Sequence, residues 1–196
     1  MDNIPLVIAS GNEGKIKEFQ KLLEDFPLKL LRQPFALKIE ETGKSFIENA
    51  RIKAIAVSKE TGNIALADDS GLSVEALGEA PGIYSSRYAN SDNERIEKLL
   101  AELKPFSNRK AKFECALCIA FEEKVLIEVT GICEGIITCA QKGKNGFGYD
   151  PIFEVSELGQ TFAEMNNNKK KQISHRGNAF KLLKPELKKL LNLFND

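Results

Sequence analysis

Two adjacent carboxylates, Asp68 and Asp69, stand between the apolar run Ile64-Ala65-Leu66-Ala67 and the segment Ser70-Gly71-Leu72-Ser73-Val74. Carboxylates so placed can hold a hard cation or move a proton. A short apolar run bounded by turn residues predicts a buried strand. The carboxylates then sit at its C-terminal end, where open α/β sheets place their ligands. Neighbouring side chains on an extended chain point to opposite faces, so one aspartate aims into a given cleft. The other is expected to accept hydrogen bonds from a Ser70-Gly71 turn. A second chemical stretch, Ser10-Gly11-Asn12-Glu13-Gly14-Lys15, follows Leu6-Val7-Ile8-Ala9 and leads into Ile16, Phe19, Leu22, Leu23 and Phe26 at helical spacing. Strand, glycine-containing loop and helix start form an anion site, with backbone N–H groups and Lys15 facing a phosphate. It is not the Walker pattern, which needs a longer loop ending in Lys-Ser/Thr. A third stretch, Gly143 to Pro151, frames Phe147 with Gly146 and Gly148 and ends in Tyr149 and Asp150. Glycines let the backbone approach a ligand, so Phe147 can stack on a nucleobase while Asp150 accepts a hydrogen bond.

Other elements must position these groups. Leu28-Lys29-Leu30-Leu31 reads as a strand, and Glu40-Glu41-Thr42-Gly43 precedes Ser45-Phe46-Ile47-Glu48, a capping-box pattern. The helix it opens buries Ile47, Ala50, Ala54 and Val57 and carries Asn49 and Lys53 one turn apart, able to reach a site together. A carboxylate of the preceding loop can act as a second metal ligand beside Asp69. Ala80 to Ala89 reads as a turn-rich loop, and Ser91-Asp92-Asn93-Glu94 starts a helix carrying Ile96, Leu99, Leu100 and Leu103. Lys112 to Phe121 and Lys124 to Cys133 read as strands joined at Glu122-Glu123, with a further strand over Gly135 to Cys139. Strands bunched between helices predict a mixed sheet. Asn166-Asn167-Asn168-Lys169-Lys170-Lys171 reads as a solvated basic loop before Ile173-Ser174-His175-Arg176-Gly177. Ser174 can cap the last helix, which carries Phe180, Leu183, Leu187, Leu190 and Leu191, and Pro185 should kink or divide it.

The formal net charge is zero, so no global field draws nucleic acid or an anionic membrane and any basic site is local. No apolar run approaches the roughly 20 residues of a membrane span. Met1-Asp2-Asn3-Ile4-Pro5 lacks the features of a secretory signal. Cys115-x-x-Cys118 has the spacing of a zinc or redox pair, but Cys133 and Cys139 are separated by five residues and the single histidine, His175, is remote. Buried reduced thiols and a cytoplasmic location are expected. With no repeat, linker or composition break, residues 1–196 read as one domain.

Six motifs now stand in order: Ser10-Gly11-Asn12-x-x-Lys15; Glu40-Glu41-Thr42-Gly43 with Phe46-Ile47-Glu48-Asn49-Ala50; Ala67-Asp68-Asp69-Ser70-Gly71-Leu72; Pro81-Gly82-Ile83-Tyr84-Ser85; Phe147-Gly148-Tyr149-Asp150-Pro151-Ile152-Phe153; and Ser174-His175-Arg176-Gly177. In order and spacing the chain resembles the inosine triphosphate pyrophosphatase family from about residue 4 to about residue 184. Ser10 departs from the threonine of many members, but both supply a hydroxyl. The resemblance implies a two-lobed α/β fold around a long curved mixed β-sheet, with the active site between the lobes. It implies a magnesium-dependent homodimer that hydrolyses non-standard purine nucleoside triphosphates (ITP, dITP, XTP) to the monophosphate and pyrophosphate, cleansing the nucleotide pool. Carried over residue by residue, it assigns Ser10, Gly11, Asn12, Glu13, Gly14 and Lys15 to the phosphates and Glu40 and Asp69 to the metal. Asp69 is also the proton acceptor, and Ser70 touches substrate. Phe147, Gly148, Tyr149, Asp150, Lys170, His175 and Arg176 lie on the base side. Lys53 is expected to help hold the leaving pyrophosphate, and Asp68 can share the activation of water. An aspartyl phosphotransferase wants Asp-x-Asp, whereas the residues two beyond Asp68 and Asp69 are Ser70 and Gly71. An RNA-binding module is opposed by zero net charge and clustered carboxylates. A same-fold enzyme for modified pyrimidines fits the base-side motifs less well.

Overall fold

The computed structural model describes residues 3–34 and 37–193, so Met1 and Asp2 of the N-terminal run lie outside the described residues. Among the described residues seven strands form one mixed sheet in the order β2-β1-β3-β4-β5-β6-β7. The chain divides into two compact units, residues 1–69, 115–131 and 177–196 in one and 70–114 and 132–176 in the other.

In the first unit β1 (Ile4–Ala9) lies between β2 (Leu28–Arg32) and β3 (Ile64–Val74), parallel to both. Leu6 to Ala9 are buried without alternation, as a strand covered on both faces requires. Asn12 caps α1 (Glu13–Leu22) by accepting from the Lys15 N–H, and Ile16, Phe19 and Leu22 turn inward as the spacing predicts. Ser45 caps α2 (Phe46–Thr61), and Gly62 ends it in the left-handed conformation. The capping box differs from the expected one: the Glu48 carboxylate accepts from the Lys44 N–H. Phe46 is buried with Ala50, Ala54 and Val57, while Ile47 is only half-buried. At the far end of α2 the buried Ser58 hydroxyl donates to the Asn63 carbonyl and accepts the Glu122 N–H. The last helix, α5 (His175–Leu193), runs through Pro185 undivided. Pro185 and Lys181 are both exposed, so the carbonyl that loses its donor can be hydrated. Phe180, Leu183, Leu187 and Leu191 of this helix share a core with Leu6, Ile8, Phe19, Leu66 and Leu117.

β3 corrects two expectations. No turn forms at Ser70-Gly71, and the aspartates lie in mid-strand rather than at its end. Leu72 and Val74 are fully buried, and continuing the strand keeps them so, which outweighs the turn preference of Ser-Gly. The expected placement survives relative to β1, which stops at Ala9 opposite Ala67. Asp68 and Asp69 therefore begin just beyond the carboxyl end of the parallel neighbour.

The second unit has its own core, including Leu72, Val74, Ile96, Leu99, Phe113, Ile152, Phe153 and Phe162. The Ala80 to Ala89 loop contains a 3-10 helix, Gly82–Arg87. Ser91 caps α3 (Asp92–Glu102) as predicted. β4 (Lys110–Phe121) and β5 (Lys124–Ile137) contribute residues to both units. β5 takes in Gly135 to Ile137 of the separate strand expected over Gly135 to Cys139, and Thr138 and Cys139 lie outside it. Gly135 does not interrupt β5: a Cβ there would collide with the Glu154 carbonyl and lie 2.7 Å from the Phe153 ring, so the strand needs a residue without one. Glu154 and Phe153 belong to β6 (Phe153–Val155), antiparallel to β5, with β7 (Gln160–Thr161) on its other side. The expected basic loop is α4 (Asn167–Ile173), capped by Asn166. Cys115, Cys118 and Cys133 are buried thiols, but Cys139 is exposed. Burial pushes the Cys118 thiol up to about 12 and that of Cys133 to about 11, so neither is a thiolate at neutral pH. No helix among the described residues is long and apolar enough to cross a membrane.

Candidate active site

The first unit gathers a charge cluster around β3. The first turn of α1 brings Lys15 Nζ to 2.9 Å from Asp68 Oδ2, with the Asp68 side chain fully buried. Asp69 faces α2 instead: its Oδ2 accepts from Asn49 Nδ2 at 3.0 Å, and its Oδ1 from Lys53 Nζ at 3.3 Å. Asn49 and Lys53, one helical turn apart, thus reach one carboxylate as their spacing suggested. Lys53 also donates to Glu41 Oε1 at 2.7 Å, and the Gly43 N–H donates to Asn49 Oδ1 at 2.8 Å, which ties the acidic loop to α2. Glu40, the neighbour of Glu41, is exposed.

Burial raises the Asp69 pKa, and the opposing fields of Lys53 and Lys15 do not cancel the effect. Burial alone would lower the Lys53 pKa, but Asp68, Asp69 and Glu41 outweigh it and hold the ammonium above its ordinary range. The result is a carboxylate more basic than a solvated aspartate beside a persistent cation.

In the glycine loop Ser10 Oγ accepts the Asn12 N–H at 3.2 Å and Asn12 Oδ1 accepts the Lys15 N–H at 3.1 Å. Glu13 turns its carboxylate outward to Arg32. The N–H groups of Glu13 and Gly14 open α1, where a helix supplies no acceptor of its own. A Cβ on Gly11 would meet no atom within 4 Å, and its φ lies outside the left-handed region. The fold alone therefore does not demand glycine there. Among the described residues no group of three or more His, Cys, Asp or Glu side chains is arranged to hold a metal ion.

The second unit assembles the base-side residues. Arg176 is buried, donates from Nη2 to Ser70 Oγ at 3.1 Å, and places Cζ 6.0 Å from the Phe147 ring centre. Ser70 follows Asp69 directly in the chain. Lys170 Nζ stands 5.0 Å from the Phe147 centroid and 2.8 Å from Asp150 Oδ2. The Phe147 ring is half-buried, as a stacking platform needs. Asp150 Oδ2 accepts the Phe147 N–H at 2.8 Å as well as Lys170, so this carboxylate shapes the loop. Tyr149 is buried and donates its hydroxyl to the Ser85 carbonyl at 2.9 Å. His175 stacks on Phe113 at 4.6 Å and is buried, so its imidazole is packed while its backbone opens α5.

Two further residues hold the base side, Asp92 and Ser85, and of these Ser85 was visible only as part of the Pro81 to Ser85 motif, with no role attached. Asp92, read only as part of a helix start, accepts the Gly148 N–H at 2.7 Å. Ser85 receives Tyr149 and also accepts the Leu72 N–H at 2.9 Å. Both pairings join residues too distant in the chain for any spacing rule, although Ser91-Asp92 was a signal for an ordered helix start.

The Ham1 family model matches residues 6–186. A dITP/XTP pyrophosphatase of Prochlorococcus marinus (strain NATL1A) is 78% identical over 97% of this chain and 97% of its own. One from Synechococcus sp. (strain CC9311) is 60% identical over 97% of this chain and 93% of its own. A HAM1 protein structure from Coxiella burnetii superposes with a TM-score of 0.88 at 44% identity, over 95% of this chain and 99% of that one. Agreement of sequence and backbone over nearly the whole length, with the motif residues gathered as described, leaves one conclusion: this chain belongs to the Ham1 family.

Proposed function

We propose that this protein hydrolyses non-standard purine nucleoside triphosphates (ITP, dITP and XTP) to the monophosphate and pyrophosphate, in a magnesium-dependent reaction that cleanses the nucleotide pool. The observation that carries the reading is the Asp68–Asp69 pair held by Lys15 and Lys53 beside the start of α1. The triphosphate lies along Ser10 to Lys15, where helix-start N–H groups and a lysine offset its charge.

The donor set suits magnesium, which takes one or two carboxylates and completes its shell with water and phosphate oxygens. The lack of a group of three ligands among the described residues is consistent with that habit. Asp69 and Glu40 are the proposed ligands, the positions that the family resemblance assigns; Glu41, next to Glu40 in the loop, is paired with Lys53. Bound there, the ion supplies charge neutralisation on the phosphate oxygens. Asp69 orients a water and takes its proton, a duty that Asp68 beside it can share. The water oxygen bonds to the α-phosphorus, the bond to the bridging oxygen of the β-phosphate breaks, and pyrophosphate leaves against Lys15 and Lys53. Asp68 keeps Lys15 in position.

Hypoxanthine and xanthine offer an acceptor at O6, where adenine has a donor. Arg176 and the first N–H groups of α5 satisfy only an acceptor, and each unpaired buried polar group costs about 1–3 kcal/mol. A homodimer, expected from the family resemblance, is checked by light scattering.

The decisive assay is a nucleotide panel with Mg²⁺ in which monophosphate and pyrophosphate are read separately. Release of orthophosphate, or equal turnover of ATP and ITP, overturns the reading. Asp69→Asn should lower kcat by a factor of about 100 or more while the fold is retained. Near-native turnover would remove Asp69 from the chemistry.

A further inference from the structure

The loop around Phe147 is held from three directions. Within it Asp150 Oδ2 takes the Phe147 N–H at 2.8 Å, and the Asp150 N–H donates to the Phe147 carbonyl at 3.3 Å. Below it the Tyr149 hydroxyl reaches the Ser85 carbonyl at 2.9 Å. From α3, Asp92 Oδ2 accepts the N–H of Gly148, a residue whose φ is +61°, at 2.7 Å. The other oxygen of Asp92, Oδ1, accepts from Arg95 Nη1 at 3.1 Å. That ion pair engages one oxygen while Oδ2 faces the loop.

We propose that Asp92, paired with Arg95, is a positioning residue for base recognition: it fixes the peptide plane between Phe147 and Gly148 and thereby the ring on which the purine stacks. The inference rests on the reading of Phe147 as the base platform. The peptide that Asp92 grips carries the Phe147 carbonyl, so its tilt turns the aromatic side chain one bond away. A glycine at 148 has no Cβ to limit its backbone, and an external acceptor supplies the restraint that a side chain would give elsewhere. The hydrogen bond is charge-assisted, the stronger kind. Asp92 touches neither phosphate-side nor metal-side groups described above, so its effect belongs to binding of the base rather than to bond breaking.

The test compares Asp92→Ala, Asp92→Asn and Phe147→Ala for hydrolysis of inosine triphosphate, with inorganic tripolyphosphate as a competing ligand that lacks a base. Asp92→Ala should raise KM roughly tenfold with kcat within about twofold, the pattern of lost binding common to ground and transition states. The inhibition constant of tripolyphosphate should not change. Asp92→Asn retains an oxygen acceptor and should restore most of the KM. Exchange of the Gly148 amide hydrogen, read by nuclear magnetic resonance without substrate, should quicken in Asp92→Ala and stay slow in Asp92→Asn. The proposal is overturned by an Asp92→Ala protein with lowered thermal stability and native KM, by equal weakening of tripolyphosphate and inosine triphosphate, or by failure of Asp92→Asn to rescue. A native KM in Phe147→Ala would instead overturn the base-platform reading itself, whatever Asp92 does.

Discussion

At the scale of single residues the site is a set of charges held by their neighbours' hydrogen bonds. The Asp68 side chain is fully buried and its Lys15 partner nearly so. Removing one member of such a pair costs more than the pair contributes, because a charge is left in low dielectric. Lys15→Met should destabilise the protein by about 3 kcal/mol in urea unfolding. Combining it with Asp68→Asn should recover much of that loss while activity stays low. Gly11 makes the opposite case. A methyl group there meets no protein atom, so Gly11→Ala should leave the melting temperature within about a degree. If a triphosphate lies over that peptide, the same change lowers kcat/KM by roughly tenfold or more; native activity would show that the ligand runs elsewhere.

At the scale of elements, helix starts deliver the functional groups, and their caps are both structural and functional. Asn12→Ala removes the acceptor of the Lys15 N–H and should cost about 1 kcal/mol of stability, read as a lower unfolding midpoint. Much of this level was legible: the caps at Ser45 and Ser91, the inward faces of α1 and α2, and the pairing of Asn49 with Lys53 follow from spacing. What was not legible came from distant partners. Ser70-Gly71 has the composition of a turn, and only burial of Leu72 and Val74 keeps β3 extended. Gly135 has the look of a strand break, yet it is the place where β6 crowds β5. Asp150 is paired with a buried lysine twenty residues later, a partner that no local spacing announces. Glu40 and Glu41 look alike in the sequence, and the pairing of Lys53 with Glu41 joins residues that no local rule connects.

For the molecule as a whole, the buried carboxylate sets a pH dependence. The folded state holds the Asp69 proton more tightly than the unfolded chain does, since its pKa is raised. That contribution to stability is complete below the unfolded pKa and is lost as pH rises through the folded one. Lys53, also raised, follows the same sign at the alkaline end: its contribution is present below the ordinary lysine range and disappears above it. In urea unfolding with a chelator present, Asp69→Asn should match the native protein in acid and exceed it near neutrality. A native protein that gained on the variant from acid to neutral pH would refute the assignment. The clamp at Ser58 bears on the same centre from a distance. A helix slipped by one residue moves about 1.5 Å and turns about 100°, enough to swing an amide and an ammonium off their shared carboxylate. A hydroxyl that never meets a nucleotide would therefore score like a reactive group in a saturation screen, because it keeps the helix in step with the strand.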